Sequence, residues 1–231
     1  MAVFLLDNDL VFPPPHLADE SGMLAVGGDL SEERLLLAYR MGIFPWYSEG
    51  EPLLWWSPDP RLILLPEEFH VSQRLSRVIR QGVFRVTMDA AFDSVIRACA
   101  EAPRSGQGGT WITEEMIDAY CRLHASGYAH SVECWRGDEL AGGLYGISIG
   151  NAFFGESMFS RVSDASKAAL AALVEQIKSW PFALIDCQVA TPHLSRMGAR
   201  EVSREEFMRL LERSLQSETH LGKWAPTIRQ K

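Results

Sequence analysis

Residues 129–189 read AHSVECWRGDELAGGLYGISIGNAFFGESMFSRVSDASKAALAALVEQIKSWPFALIDCQV. Three apolar-rich stretches, 131–135, 140–149 and 152–159, are separated by turn formers at Arg136-Gly137-Asp138-Glu139 and Gly150-Asn151, which predicts an antiparallel meander. Residues 164–180 then place Ala165, Ala168, Ala169, Ala172, Leu173 and Ile177 on one stripe at helical spacing. The apolar run 182–189 reads as a buried strand. Strand, helix, strand in that order implies a right-handed crossover into a parallel pairing, so the sheet is mixed.

Working outward, a last helix over 205–215 closes this unit. Upstream, Ser72 caps a helix running to Gly82 with Leu75, Val78 and Ile79 inward, and a strand over 84–88 follows. Asp89 is placed to cap a helix carrying Phe92, Val95, Ile96 and Cys99. Residues 103–109 read as a flexible loop, after which Thr113 caps a helix ending at Gly127. The first seventy residues differ in texture, with Pro13-Pro14-Pro15, Phe44-Pro45-Trp46-Tyr47 and Trp55-Trp56-Ser57-Pro58-Asp59-Pro60-Arg61. Prolines this frequent break long elements, and one helix fits, from Ser31 to Gly42 with Leu35, Ala38 and Tyr39 on one face. The fold class expected is α+β: a small N-terminal α/β domain over residues 1–65, then a mixed-sheet domain over 66–231 laid out like the N-acetyltransferases.

The 231 residues are 47% apolar and 23% charged, ordinary for a chain with a core. No run approaches the roughly 18 apolar residues of a membrane span, and no basic segment precedes the apolar start, so a cytoplasmic, membrane-free protein is expected. Four scattered cysteines and six scattered histidines lack metal-ligand spacing, so neither a metal site nor a disulfide framework is expected. A net charge of −8 argues against general affinity for nucleic acid. Any such contact needs a local basic patch, and the helix over 72–82 offers Arg74, Arg77 and Arg80 without an acid, with Arg61 and Arg85 as neighbours.

Two carboxylates stand out. In the strand Leu184-Ile185-Asp186-Cys187-Gln188-Val189, period two puts Asp186 and Gln188 on one face, and an ionisable group in an apolar strand needs a partner. Asp186 is therefore either a hydrogen-bonded structural group or part of a polar pair at a pocket mouth. Glu156 lies among aromatics after Gly155, which would let a backbone approach a ligand. Acyl transfer from coenzyme A usually cradles the pyrophosphate in a glycine-containing turn at a helix N-terminus. The corresponding turn here, 159–167, has no glycine and carries Asp164, which disfavours that cofactor.

Seven motifs then occur in a recognisable order: Gly27-Gly28-Asp29-Leu30-Ser31, Gly42-Ile43-Phe44-Pro45-Trp46-Tyr47, Trp55 to Arg61, Thr110-Trp111-Ile112-Thr113, Gly142-Gly143-Leu144-Tyr145-Gly146, Gly155-Glu156-Ser157-Met158-Phe159-Ser160 and Leu184 to Gln188. The chain resembles the leucyl/phenylalanyl-tRNA protein transferases over about residues 12–207. The resemblance implies a bacterial enzyme of the N-degron pathway. Such an enzyme moves leucine or phenylalanine, and methionine less readily, from aminoacyl-tRNA to proteins beginning with arginine or lysine, marking them for degradation. No cofactor is expected.

The same resemblance implies that Asp186 and Gln188 stand at the reacting centre with Glu156 near it. It maps an apolar aminoacyl pocket to Trp111, Leu144, Phe153, Leu170, Leu173, Ile177 and Ile185, with Trp46 near the terminal adenosine. Asp186, oriented by Gln188, is expected to take the proton of the attacking amine, and Glu156 to hold the acceptor's cationic group. Arg74, Arg77 and Arg80 are expected to grip the tRNA, and the enzyme to be a monomer. The alternatives are a coenzyme A-dependent acyltransferase on the same fold, a noncatalytic RNA-binding protein, and a cell-wall aminoacyl transferase, which would need a coiled-coil arm that is absent here.

Overall fold

A computed structural model describes residues 3–102, 111–180 and 182–225. The loop expected over 103–109 lies outside them. In chain order the described elements are β1 (Phe4–Leu6), β2 (Met23–Gly27), α1 (Glu32–Arg40), β3 (Phe44–Pro45), β4 (Leu54–Trp56), β5 (Arg61–Leu64), α2 (Gln73–Arg80), β6 (Arg85–Met88), α3 (Phe92–Glu101) and α4 (Glu114–Ala125). They continue with β7 (Ala129–Arg136), β8 (Glu139–Ile149), β9 (Ala152–Ser160), α5 (Ala165–Lys178), β10 (Leu184–Gln188), α6 (Pro192–Ser195), β11 (Arg200–Val202) and α7 (Arg204–Ser214). The protein is α+β. No described helix is long and apolar enough to cross a membrane.

Two mixed sheets form. The smaller has the order β1-β2-β4-β3, and the larger β11-β5-β10-β9-β8-β7-β6. The expected meander is β7-β8-β9, joined by antiparallel β6. Helix α5 carries the chain across to β10, which lies parallel to β9, as the strand-helix-strand order requires. Strand β5 precedes residue 65 in the chain yet pairs with β10 and β11 inside the larger sheet.

Period two sorts the side chains of the larger sheet into two cores. Tyr145, Ile147 and Phe154 pack with α1, α3, α4, α7 and the smaller sheet, whereas Leu144, Phe153 and Ile185 pack with α5. Ser31, Ser72 and Thr113 cap their helices as expected, each accepting the N–H three residues on. Asp89 does not cap α3. The N-cap is Ala91, and Asp89, at φ 51°, turns its carboxylate inward to accept from the N–H groups of Ser131 and Trp224. Ile79 does not point inward either. Helix α2 meets the body through Leu75 and, less fully, Val78, and its last turn leaves Ile79 45% exposed.

Arg61 is no phosphate ligand. It is 1% exposed and donates from Nε and Nη2 to Asp186 Oδ1 and Oδ2 at 2.8 and 2.6 Å. Its guanidinium lies over the rings of Phe44 and Phe207, at 4.8 and 4.5 Å from their centroids. One ion pair therefore ties β5 to β10, β3 and α7. Removing one member of a buried pair strands the other charge, so Arg61→Met should cost about 3–5 kcal/mol in urea unfolding followed by tryptophan fluorescence. Arg61→Met combined with Asp186→Leu should recover most of that loss. A double variant no more stable than the single one would show that the rings, and not the charges, hold the junction.

Candidate active site

The site arises where two neighbouring strands part. Strands β9 and β10 pair at Ala152 with Leu184, Phe153 with Ile185, and Phe154 with Asp186. Beyond these residues each strand slips. On β9, Gly155 and Ser157 oppose Gly146 and Tyr145, so Glu156 is an extra residue. On β10, Asp186 and Gln188 oppose Ile63 and Leu62, so Cys187 is extra. A bulge bends the strand that carries it and re-aims its side chains. The Gln188 backbone also turns to φ 55°, where its N–H donates to Asp186 Oδ1 at 3.0 Å.

The gap is a cavity of about 500 Å³, a size suited to a small organic group. Trp46, Trp111, Leu144, Phe153, Leu170, Leu173 and Ile185, all expected in a pocket, line it together with Glu156 and Gln188. Ile177 does not. It lies one helical turn beyond Leu173 on α5 and is sealed in the core. Asp186 is also absent from the wall, because the bulge at Cys187 leaves its side chain with Arg61, 0% exposed. Phe44 and Pro45 of β3 and Thr191, His193 and Leu194 around α6 complete the lining. Nothing in the sequence pattern connects those segments to β9 before the fold is known.

Glu156 is partly exposed toward the cavity. Its Oε1 accepts from Gln188 Nε2 at 3.1 Å and its Oε2 from the Tyr120 hydroxyl at 3.0 Å. The Tyr120 hydroxyl is in turn hydrogen-bonded to that of Tyr39, so α1 and α4 both reach the carboxyl. Burial pushes the Glu156 carboxyl up to about 7, against the pull of the Tyr39 and Tyr120 hydrogen bonds, with Asp186 raising it and Arg61 lowering it. The burial that raises Glu156 also holds both tyrosines well above the ordinary phenol range. Sequence reasoning missed the tyrosines.

The three arginines expected to meet tRNA all lie at the surface of α2. Arg74 is 73% exposed and pairs with Asp164 at 2.9 Å. Asp164 sits at φ 69° and also pairs with Lys167 at 3.0 Å, which holds its carboxyl below the usual range. A carboxylate thus occupies the turn at the head of α5. Arg85 lies over the Trp135 ring at 5.4 Å.

An apolar cavity with a carboxyl shifted toward neutrality on its wall can hold an apolar group beside a group able to exchange a proton. The family model described as leucyl/phenylalanyl-tRNA protein transferase matches residues 63–212, and that of the same family's N-terminal domain matches 28–59. Proteins named leucyl/phenylalanyl-tRNA–protein transferase are similar along nearly the whole chain. The Anaeromyxobacter sp. (strain Fw109-5) protein is 59% identical, over 97% of this chain and 95% of its own. Those of Syntrophobacter fumaroxidans and Myxococcus xanthus are 57% and 54% identical, over 97% of this chain and 96% and 97% of theirs. The chain belongs to the leucyl/phenylalanyl-tRNA protein transferase family. Among solved structures, L-PGS from Bacillus licheniformis overlaps distantly, at TM-score 0.41 and 12% identity, over 77% of this chain and 57% of that one.

Removing a hydrogen bond that favours the ionised carboxyl raises its pKa further. Tyr120→Phe should therefore move the Glu156 titration, followed by carbon NMR of the carboxyl, upward from about 7. An unmoved titration would mean that Tyr120 does not set the proton affinity of Glu156.

Proposed function

We propose that this aminoacyltransferase moves leucine or phenylalanine, and methionine less well, from aminoacyl-tRNA to the amino terminus of proteins beginning with arginine or lysine, marking them for degradation. The observation that carries this reading is Glu156 on the wall of an apolar cavity, its carboxyl held by Gln188 and Tyr120. The cavity would take the leucyl or phenylalanyl side chain and leave polar ones unpaired, while discriminating a single methylene only weakly, by about 1–3 kcal/mol. We read the larger sheet, with its splayed parallel pair, as an N-acetyltransferase-like domain, and the small N-terminal domain, first expected over residues 1–65, as ending before β5, which belongs to the larger sheet. The enzyme is read as cytoplasmic and monomeric. The carboxylate at the head of α5, where a coenzyme A pyrophosphate would need a cradle, weighs against the acetyl-transferring rival.

In the reaction the acceptor's amine nitrogen attacks the ester carbonyl carbon, the new C–N bond forms, and the C–O bond to the ribose breaks. No covalent enzyme nucleophile is needed. Glu156 takes the proton that the amine loses and returns it to the departing ribose oxygen. Gln188 holds Oε1 of Glu156 in place. Asp186, bound through both oxygens by Arg61, acts as a positioning group that fixes the Gln188 backbone, so the proton-accepting role first expected of it passes to Glu156. Much of the rate would come from holding amine and ester together.

The direct test is transfer of labelled leucine from leucyl-tRNA to a peptide beginning with arginine, beside the same peptide beginning with alanine and a parallel reaction supplied with acetyl-coenzyme A. Label on the arginine peptide alone is the expected result. Acetylation without transfer from tRNA would overturn the reading.

Both Glu156 and the acceptor amine must lose a proton before reaction. The amine titrates at roughly 7.7–8.0, so log kcat/KM for the acceptor should rise with a slope of about 2 below pH 7, slacken to about 1, then level. Glu156→Gln should slow transfer by roughly 100-fold or more and reduce the low-pH slope to about 1. An unchanged slope would assign the proton to another group.

Arg74, Arg77 and Arg80 are proposed to contact phosphates of the donor tRNA. Each phosphate contact contributes about 0.7–0.9 to the dependence of log affinity on log salt, so replacing all three by alanine should flatten that slope by about 2. A wild-type slope in the triple variant would remove α2 from the interface.

A further inference from the structure

The C-terminal segment beyond residue 212, where the family model stops matching, reaches back to the acyl cavity. Trp224 is 4% exposed, and its backbone N–H donates to Asp89 Oδ2 at 2.7 Å. Its indole N–H donates to the His220 carbonyl at 3.1 Å, and its ring lies on His130 with centroids 3.7 Å apart and planes 8° from parallel. His130 Nδ1 meets the same Asp89 oxygen at 2.9 Å. Two residues earlier, Gly222 N–H donates to the Gly127 carbonyl at 3.2 Å. A Cβ on Gly127 would lie 2.4 Å from that nitrogen, so the segment is seated against the bare backbone.

Anchored in this way, the Trp224 ring meets Phe153, with centroids 5.9 Å apart. Phe153 is 1% exposed and lines the cavity. Its ring also lies so close to Gly146 that a Cβ there would come within 2.6 Å of Cζ and 2.7 Å of Cε1. The ring thus touches the β8 backbone, the Trp224 indole and the cavity. The backbone does not yield. Of these neighbours, the indole is a side chain that substitution can shorten.

We infer that Trp224 is a specificity-determining residue for the transferred amino acid, acting through Phe153 without touching substrate. The inference rests on the aminoacyl-transfer reading given above. A smaller side chain at 224 leaves space that the surrounding core fills only in part, and Phe153 moves into it. The deepened cavity then favours the larger phenylalanyl group over the leucyl group. In apolar pockets a single methylene is worth roughly 10–200-fold, and a shift of a ring position should register at the low end of that range.

The experiment compares kcat/KM for phenylalanyl-tRNA and leucyl-tRNA in full-length wild type, Trp224→Leu, Trp224→Phe, Phe153→Leu and the Trp224→Leu/Phe153→Leu double variant, with folding checked by near-ultraviolet circular dichroism. The phenylalanyl-to-leucyl ratio should rise about tenfold or more in Trp224→Leu. It should rise also in Phe153→Leu, and in the double variant by less than the product of the two, because both changes open the same space. If Trp224→Leu does not fold, Trp224→Phe carries the test with a smaller shift of the same sign. An equal loss on both donors with the ratio unchanged, or a double variant equal to the product, overturns the inference. A wild type inactive with both donors would overturn the transfer reading itself, and the inference with it.

Discussion

The bidentate pair between Arg61 and Asp186 is the constraint on which the other features of the site depend. Both side chains are essentially inaccessible to water, and the guanidinium is covered by Phe44 on one element and Phe207 on another. Charges buried so completely persist only when matched in geometry, and here the match involves both carboxylate oxygens. Because the carboxylate is committed there, one of its oxygens can also accept the Gln188 N–H, which holds that residue in a backbone conformation few residues adopt. The left-handed turn re-aims the Gln188 side chain toward Glu156. The buried salt bridge therefore decides which carboxyl faces the cavity.

The regular parts of the fold were legible because they follow simple periods. Alternation identified the meander, the alanine stripe identified α5, and the order strand-helix-strand required the parallel pairing of β9 with β10. Ser31, Ser72 and Thr113 announced helix starts through chemistry confined to four residues. Failures came where a residue had two plausible uses and the choice depended on distant chain. Asp89 looks like a helix cap from its neighbours alone, but its carboxylate is claimed by His130, Ser131 and Trp224, between 41 and 135 residues away.

The site was legible in the same uneven way. Family motifs pointed to most of the apolar wall, since those side chains lie on regular stretches of β8, β9, β10 and α5. Period two failed for Asp186 and Gln188, because a bulge at Cys187 adds a residue and sends the two side chains apart. Arg61 read as a neighbour of the basic patch on the helix over 72–82. Only its pairing in β5 puts it beneath Asp186. Tyr39 read as an inward residue of its helix and Tyr120 drew no reading; both are buried, and their hydroxyls acquire meaning only once Glu156 is placed beside them.

The tyrosine pair joins parts of the chain that fold at different places. Tyr39 belongs to α1, which packs beside the smaller sheet, Tyr120 to α4, and Glu156 to the larger sheet. Both hydroxyls help to keep the carboxyl ionised near neutrality. Displacing α1 would take the Tyr39 hydroxyl away and push the Glu156 carboxyl further up. The same first segment supplies Phe44, Pro45 and Trp46 to the cavity wall, so a chain nicked or not yet docked there would lose part of that wall together with the tyrosine contact that favours the charged carboxyl.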